Sequence, residues 1–258
     1  MDKLTYLKNK EKINNDQVFQ KESYCYRCYK PAKNCLCPYI VSFDPIIKFV
    51  ILLHPMEARK EKMGTGRITH AFLENSKIIT GVDFTNNDEV NSLIQNKDCY
   101  VLYPGETALN VSKDDCSIFK RKILNQEEIV IFVIDGTWPC AKKMMKLSTN
   151  LHNLPRVSFE VNKESMFEIK EQPSKYCLST IESIHLLLDE FKRRDILKLQ
   201  DEHHQMLVPF KVMIEYQKQC AKDPSLNSYR RKKEYKPKEE RKPSKKWESR
   251  SILFNGKK

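Results

Sequence analysis

Asp135, Gly136, Thr137 and Trp138 stand in a row at the end of an apolar run, IVIFVI, residues 129–134. A carboxylate at a strand end, near apolar surroundings, can have a raised pKa and act as a base. Asp also caps helices well, and a helix is expected to follow, so both roles stay open for Asp135. Trp138 is one of only two tryptophans. Its flat face suits stacking or a cation, and it equally fits a core residue anchoring strand to helix. Gly136 permits close backbone approach to a ligand. His54, at the end of a second apolar run, is a candidate acid or base. A strand-end histidine that simply fills a hydrogen-bond position is the plainer alternative.

Four thiols fall within 13 residues: Cys25-x-x-Cys28, then Cys35-x-Cys37. Two such pairs can close a tetrahedron around Zn²⁺, and four thiolates leave no open position. The expectation is a structural zinc, with an iron–sulfur cluster or unbound thiols as the alternatives. The other five cysteines, Cys99, Cys116, Cys140, Cys177 and Cys220, are scattered and read as small core residues.

These groups need elements to position them. KFVILLHP (48–55), CYVLYPGE (99–106) and IVIFVIDGTW (129–138) are continuous apolar runs, the pattern of strands buried on both faces of a parallel sheet. RVSFEV (156–161) is a further candidate strand. Helices are expected over 139–150, with Pro139 in the first turn, and over LSTIESIHLLLDEF. In the latter, Ser179 and Glu182 form a capping box ahead of Ile181, Ile184, Leu188 and Phe191. A last helix is expected over 202–221, kinked or split at Pro209. Strand and helix in alternation define an α/β fold with a mostly parallel sheet. Ligands collect beyond the carboxyl ends of such strands. Three of these strands end in His54-Pro55, Pro104-Gly105-Glu106 and Asp135-Gly136-Thr137-Trp138.

No apolar run approaches the roughly 20 residues of a membrane span, and MDKLTYLKNKEKINNDQ has no apolar core of a signal peptide. A reducing compartment, the cytoplasm, is therefore expected. The net charge is +12, and residues 229–258 carry 13 Lys or Arg against four Glu, a net +9. A basic tail of this kind tracks a polyanion, nucleic acid first, or is a solvated segment without a partner. The expected organisation is a flexible N-terminus over 1–21, the cysteine cluster over 22–42, a catalytic domain over 43–222 and a basic tail over 223–258.

The order C-x2-C-x6-C-x-C, HPMEA, TGR, LYPGE, DGTW, LSTIE resembles the DTW-domain proteins, the tRNA-uridine aminocarboxypropyltransferases. The resemblance covers roughly residues 22–216. It implies transfer of the 3-amino-3-carboxypropyl group of S-adenosylmethionine to N3 of a uridine in tRNA, with release of methylthioadenosine. It also implies a SPOUT-like fold whose C-terminal part is knotted around the cofactor. Carried over residue by residue, the signature falls on Asp135, Thr137 and Trp138, the HPxE element on His54, Pro55 and Glu57, and the strand-end loop on Tyr103, Pro104, Gly105 and Glu106. The LST element is Leu178, Ser179 and Thr180. A Ser-x-Tyr-x-x-Arg element is matched by Ser165, Phe167 and Lys170. Phe167 lacks the hydroxyl of a tyrosine, and Lys170 lacks the bidentate fork of an arginine. Gly64-Thr65-Gly66-Arg67 stands where the family often has Asn-Thr-Gly before the basic residue.

On this resemblance Asp135, Trp138 and His54 are the candidate catalytic residues. Pro104, Gly105, Glu106, Gly136, Thr137, Leu178, Ser179 and Thr180 would bind the cofactor, and Ser179 as a plain helix cap is as good a reading. Glu57 and Glu106 would hold the cofactor's amino group, or be surface acids. Arg67, Lys142, Lys143, Lys146 and Lys170 would meet phosphates, although the three lysines of 142–146 also fit a solvated helix face. Tyr229, Tyr235 and Trp247 in the tail would stack on RNA bases. Phosphoryl transfer of the D-x-D-G-T kind is disfavoured, because the nucleophile's position is Val133. A Gly-x-Gly-x-x-Gly methyltransferase is disfavoured by the absence of that motif. SPOUT-type methyl transfer and a non-catalytic zinc-bearing RNA-binding protein remain as rivals.

Overall fold

Residues 129–135 are the axis of the sheet. A run of Ile, Val and Phe without polar alternation can be buried only with neighbours on both sides and both faces. The computed structural model describes residues 25–28, 30–59, 64–168, 174 and 176–223. Its strands, in chain order, are β1 (Lys48–Leu53), β2 (Ser76–Thr80), β3 (Asp98–Leu102), β4 (Leu109–Asn110), β5 (Ile129–Asp135) and β6 (Arg156–Ser158). They form one sheet in the order β2-β1-β5-β3-β6-β4, and every pairing is parallel. The four expected strands are all present, each ending short of the segment quoted for it. The two additional strands, β2 and β4, lie at the edges and are partly exposed, so neither carries a continuous apolar run.

The helices are α1 (Pro55–Arg59), α2 (Gly66–Phe72), α3 (Asp88–Asn96), α4 (Ser117–Leu124), α5 (Trp138–Leu147), α6 (Thr180–Arg193) and α7 (Leu207–Lys222). Side chains alternate across a strand. Val50, Leu52, Val101, Val130 and Phe132 therefore share one face, where they pack with Val90 of α3 and Met144 and Met145 of α5. Tyr100 points to the other face. Its ring lies 4.8 Å from Phe119 of α4, which in turn lies 5.1 Å from Phe191 of α6. Asp135 follows Ile131 and Val133 onto this second face.

The expected capping box is present at the start of α6. Ile181, Ile184, Leu188 and Phe191 are buried as the pattern required. Glu182 does more than cap. Its carboxylate accepts from the Ser179 N–H (2.8 Å), the Ser179 hydroxyl (2.6 Å), the Ser165 hydroxyl (2.9 Å) and the Met166 N–H (2.7 Å). A buried carboxylate with four donors is replaced badly by an amide, which turns an NH₂ toward some of them. Glu182→Gln is expected to lower stability by about 1–3 kcal/mol. The check is a lower urea midpoint at constant slope, and an unchanged midpoint would contradict it.

The expected last helix is in two pieces. Glu202–Met206 is a 3-10 turn, and α7 begins at Leu207. Pro209 falls in the first turn of α7, where no intrahelical partner awaits its missing N–H. No helix among the described residues is long and apolar enough to cross a membrane. The chain divides into two units, residues 1–38 and 39–258. The sheet and the seven helices of the described residues belong to the second. The described residues of the first hold the cysteine cluster.

Candidate functional site

β1, β5 and β3 are adjacent and in register, with Leu53 opposite Asp135 and Leu102 opposite Val133. His54 and Gly136 therefore leave the sheet side by side, and Tyr103 leaves it level with Ile134. The His54 N–H donates to the Asp135 carbonyl at 2.8 Å, extending the ladder by one bond. The His54 ring is buried, and its Nδ1 accepts from the Met56 N–H at 3.2 Å. The His54 carbonyl accepts from the Glu57 and Ala58 N–H groups. His54 thus caps the short α1, and any proton transfer by its ring falls to Nε2.

Asp135 is 9% exposed. The N-cap position of α5 belongs to Thr137, not to Asp135. That corrects the helix-capping alternative: two residues separate the acid from the first turn it would have capped. The Asp135 carboxylate lies against the first residue of α2. A methyl group on Gly66 would overlap Oδ2 and come within 3.1 Å of Cγ, with Ile51 Cγ2 at 3.4 Å behind it. Glycine at 66 is what admits the acid. Gly136 plays a similar part: a Cβ there would meet His54 Cβ and Cys140 Cβ, each at 3.3 Å. The TGR, HPxE and DGTW segments converge through these two close approaches.

A second group lies at the ends of the same strands, toward the face of Val101 and Phe132, against which Tyr103 packs. The rings of Tyr103 and Trp138 are stacked, with centroids 6.4 Å apart and planes at 22°. Lys142, one turn along α5, places Nζ 5.9 Å from the Trp138 ring. The Arg156 guanidinium lies 5.6 Å from the Tyr103 ring. The sequence therefore folds into a ladder of cation, phenol, indole and cation. Gly105 crosses over Arg156, where a Cβ would stand 2.9 Å from Nη1. Burial pushes the Tyr103 phenol above its usual pKa against the opposing pull of Arg156, so the phenol stays a donor at neutral pH. Sequence reasoning missed Arg156. It opens a short strand, and only the pairing of β6 with β3 carries it to Tyr103.

Pro104, Gly105, Glu106 and Thr137 are exposed around this ladder, and Lys143 and Lys146 are exposed on α5. Arg67 follows Gly66 in the first turn of α2. Leu178, Ser179 and Thr180 lead into α6, which packs against α2 and β5. The Ser179 hydroxyl is engaged with Glu182, which matches the capping alternative. Phe167 is buried, edge-on to Phe210 of α7 with centroids 5.1 Å apart, so this departure from tyrosine places the ring in apolar core. Lys170, Tyr229, Tyr235 and Trp247 lie outside the described residues, as do residues 1–24 and 224–258.

The cysteine cluster fits zinc. Cys25 and Cys37 place Sγ atoms 3.4 Å apart, Cys28 and Cys35 3.8 Å, and all four sulfurs fall within 4.8 Å of one another. A tetrahedral zinc with bonds of about 2.3 Å sets its sulfurs about 3.8 Å apart. Hydrogen bonds from the Cys28 and Arg27 backbone bring the Cys25 thiol down to about 6, while the Cys35 thiol is pushed up and burial pushes the Cys37 thiol up, so without an ion one thiolate of the set forms before the others. The Leu36 N–H also donates to Cys28 Sγ at 3.5 Å.

Fold and site define a parallel α/β protein whose acid, aromatic and basic side chains gather where three adjacent strands end. Within that class the chain belongs to the DTW domain family, whose model matches residues 22–218. A Macaca fascicularis protein named tRNA-uridine aminocarboxypropyltransferase 2 is 26% identical over 182 residues, 67% of this chain and 58% of its own length. Proteins of the same name from Drosophila melanogaster and Mus musculus are 28% and 27% identical, covering 75% and 67% of this chain and 74% and 58% of their own lengths. The chain thus spans less than two thirds of the macaque and mouse relatives. No solved structure matches it.

Proposed function

We propose that this chain transfers the 3-amino-3-carboxypropyl group of S-adenosylmethionine to N3 of a uridine in tRNA. The observation that carries the reading is the buried Asp135 carboxylate, packed against Gly66 at the end of β5, just before Trp138 and its stack with Tyr103. The names of the relatives support it. S-adenosylmethionine supplies a γ-carbon made electrophilic by the adjoining sulfonium. Uridine N3 bonds to that carbon, the carbon–sulfur bond breaks with its electron pair going to methylthioadenosine, and the N3 proton is lost to a base.

The protein's share of this work is position and one proton. Asp135 accepts the proton, directly or through one water. Trp138 gives the uracil the face that the exposed Lys142 covers in the free protein, Lys142 turning off it toward a phosphate, and Tyr103 and Arg156 hold the indole from behind. Gly136 lets the ligand approach the backbone. The loop of Pro104, Gly105 and Glu106 and the segment of Leu178, Ser179 and Thr180 hold the donor, within a C-terminal part knotted as in SPOUT proteins. Arg67, Lys142, Lys143 and Lys170 meet phosphates, and the basic tail adds affinity without reading sequence. The four cysteines hold a structural zinc.

Stacking of a base on an aromatic side chain is worth about 1–3 kcal/mol. Trp138→Ala is therefore expected to raise the KM for tRNA by roughly 5- to 150-fold, and an unchanged KM would remove Trp138 from the binding face. The reading itself is tested with S-adenosylmethionine labelled separately in its methyl group and in its carboxypropyl chain. Only the chain label should enter tRNA. Entry of the methyl label alone would make the chain a methyltransferase.

A further inference from the structure

A second cluster of metal-ligating side chains lies outside the site described above. His185 sits on α6, and His203 and His204 form the 3-10 turn that precedes α7. One ring nitrogen from each lies within 4.8 Å of one from each of the others. His185 Nε2 and His204 Nδ1 are 2.9 Å apart. The His203 and His204 ring centroids are 4.1 Å apart, and His185 lies 5.6 Å and 5.1 Å from them. Asp189, one turn along α6 from His185, places Oδ1 3.4 Å from His203 Nε2 and 3.8 Å from His204 Nε2. Asp201 Oδ1 is 3.4 Å from His204 Nε2.

His203 is fully buried. One side of its ring faces Asp189, and on the other side Nδ1 is buried with no hydrogen-bond partner. A buried polar nitrogen without a partner is costly. A cation where the three imidazoles meet, with carboxylates behind two of the rings, would supply the partner that such a nitrogen lacks. Carboxylates in this outer position orient metal-bound histidines and raise their basicity.

We propose that His185, His203 and His204 bind a divalent first-row transition-metal ion, Zn²⁺ being the one used to test it. Imidazole suits zinc, and a tetrahedral zinc with bonds of about 2.0–2.1 Å sets its nitrogens about 3.3 Å apart. His185 Nε2 and His204 Nδ1 are 2.9 Å apart and all three nitrogens fall within 4.8 Å, close enough for one ion. Metal binds the neutral form of each ring. The ion would tie α6 to the turn that launches α7. It is a structural staple, separate from the cysteine cluster and independent of the proposed transfer chemistry.

The test uses the full chain, loaded with Zn²⁺, dialysed and analysed for metal per chain. His185→Gln/His204→Gln should lower the bound zinc by one ion per chain, whatever the cysteines hold. Cys25→Ser/Cys28→Ser should leave that ion in place. His204→Asn alone changes a half-exposed ring, so it keeps the test open if the double variant fails to fold. Its expected result is a weaker site that loses zinc on dialysis. Loading with Co²⁺ separates the two sites, since only the cysteine site gives thiolate-to-metal charge-transfer absorption. An unchanged zinc content in both histidine variants, or Co²⁺ spectra with the thiolate signature alone, would overturn the proposal.

Discussion

Asp135→Asn should lower the rate of methylthioadenosine release by about 10³-fold, inside the 10²- to 10⁴-fold range of general acid–base catalysis. The substitution keeps the shape of the side chain and the backbone bond from the His54 N–H to the Asp135 carbonyl. It removes the charge and the capacity to take a proton as a carboxylate, and it turns one acceptor oxygen into an NH₂ donor. The loss should fall on kcat, with the KM for tRNA little changed, because the proton moves only as the new bond forms. Single-turnover kinetics with a circular-dichroism melt of the same preparation checks both halves. Activity within tenfold of the parent would remove Asp135 from the chemistry. A collapse of the melt would make its role structural.

Gly66→Ala should lower kcat/KM by about 10²-fold, the cost of misplacing a catalytic group by about 1 Å. The new methyl group would overlap the Asp135 carboxylate, and Ile51, fully buried behind it, has no room to retreat. The carboxylate has to turn away. Alanine favours the helix over glycine by about 0.5–1 kcal/mol, which offsets part of the overpacking cost of about 1–3 kcal/mol. Activity should therefore suffer far more than stability. Gly81→Ala is the matched control. Its methyl group would come within 2.8 Å of Phe84, in the core on the opposite sheet face. It should lower the melting temperature and leave kcat/KM nearly unchanged. Equal activity losses in the two variants would mean that Gly66 matters only for packing.

What was legible in the sequence divides along physical lines. β1, β3 and β5 were readable because burial on both faces demands an unbroken apolar run. β2 and β4 were not, because an edge strand can alternate with polar residues and still pair. Asp135, His54 and Tyr103 were readable as a group, since residues at the carboxyl ends of central parallel strands must be neighbours. Which strands were central could not be read, and the 2-1-5-3-6-4 order supplied it. The capping box of Ser179 and Glu182 is local and was visible. The bonds from Ser165 and Met166 to the same carboxylate span 17 and 16 residues of sequence and were not. Arg156 and the close approach of Gly66 to Asp135 are contacts between distant segments, with no local pattern to mark them. His203-His204 is visible as a pair, but only the docking of α6 brings His185 to it.

The central claim is that this site breaks the bond between sulfur and the methionine γ-carbon. It is tested most directly by mixing the protein with S-adenosylmethionine and unmodified bulk tRNA. Mass spectrometry would then follow both the small molecules and the digested nucleosides. The account predicts methylthioadenosine together with uridine carrying a 3-amino-3-carboxypropyl group. S-adenosylhomocysteine with a methylated nucleoside would contradict it.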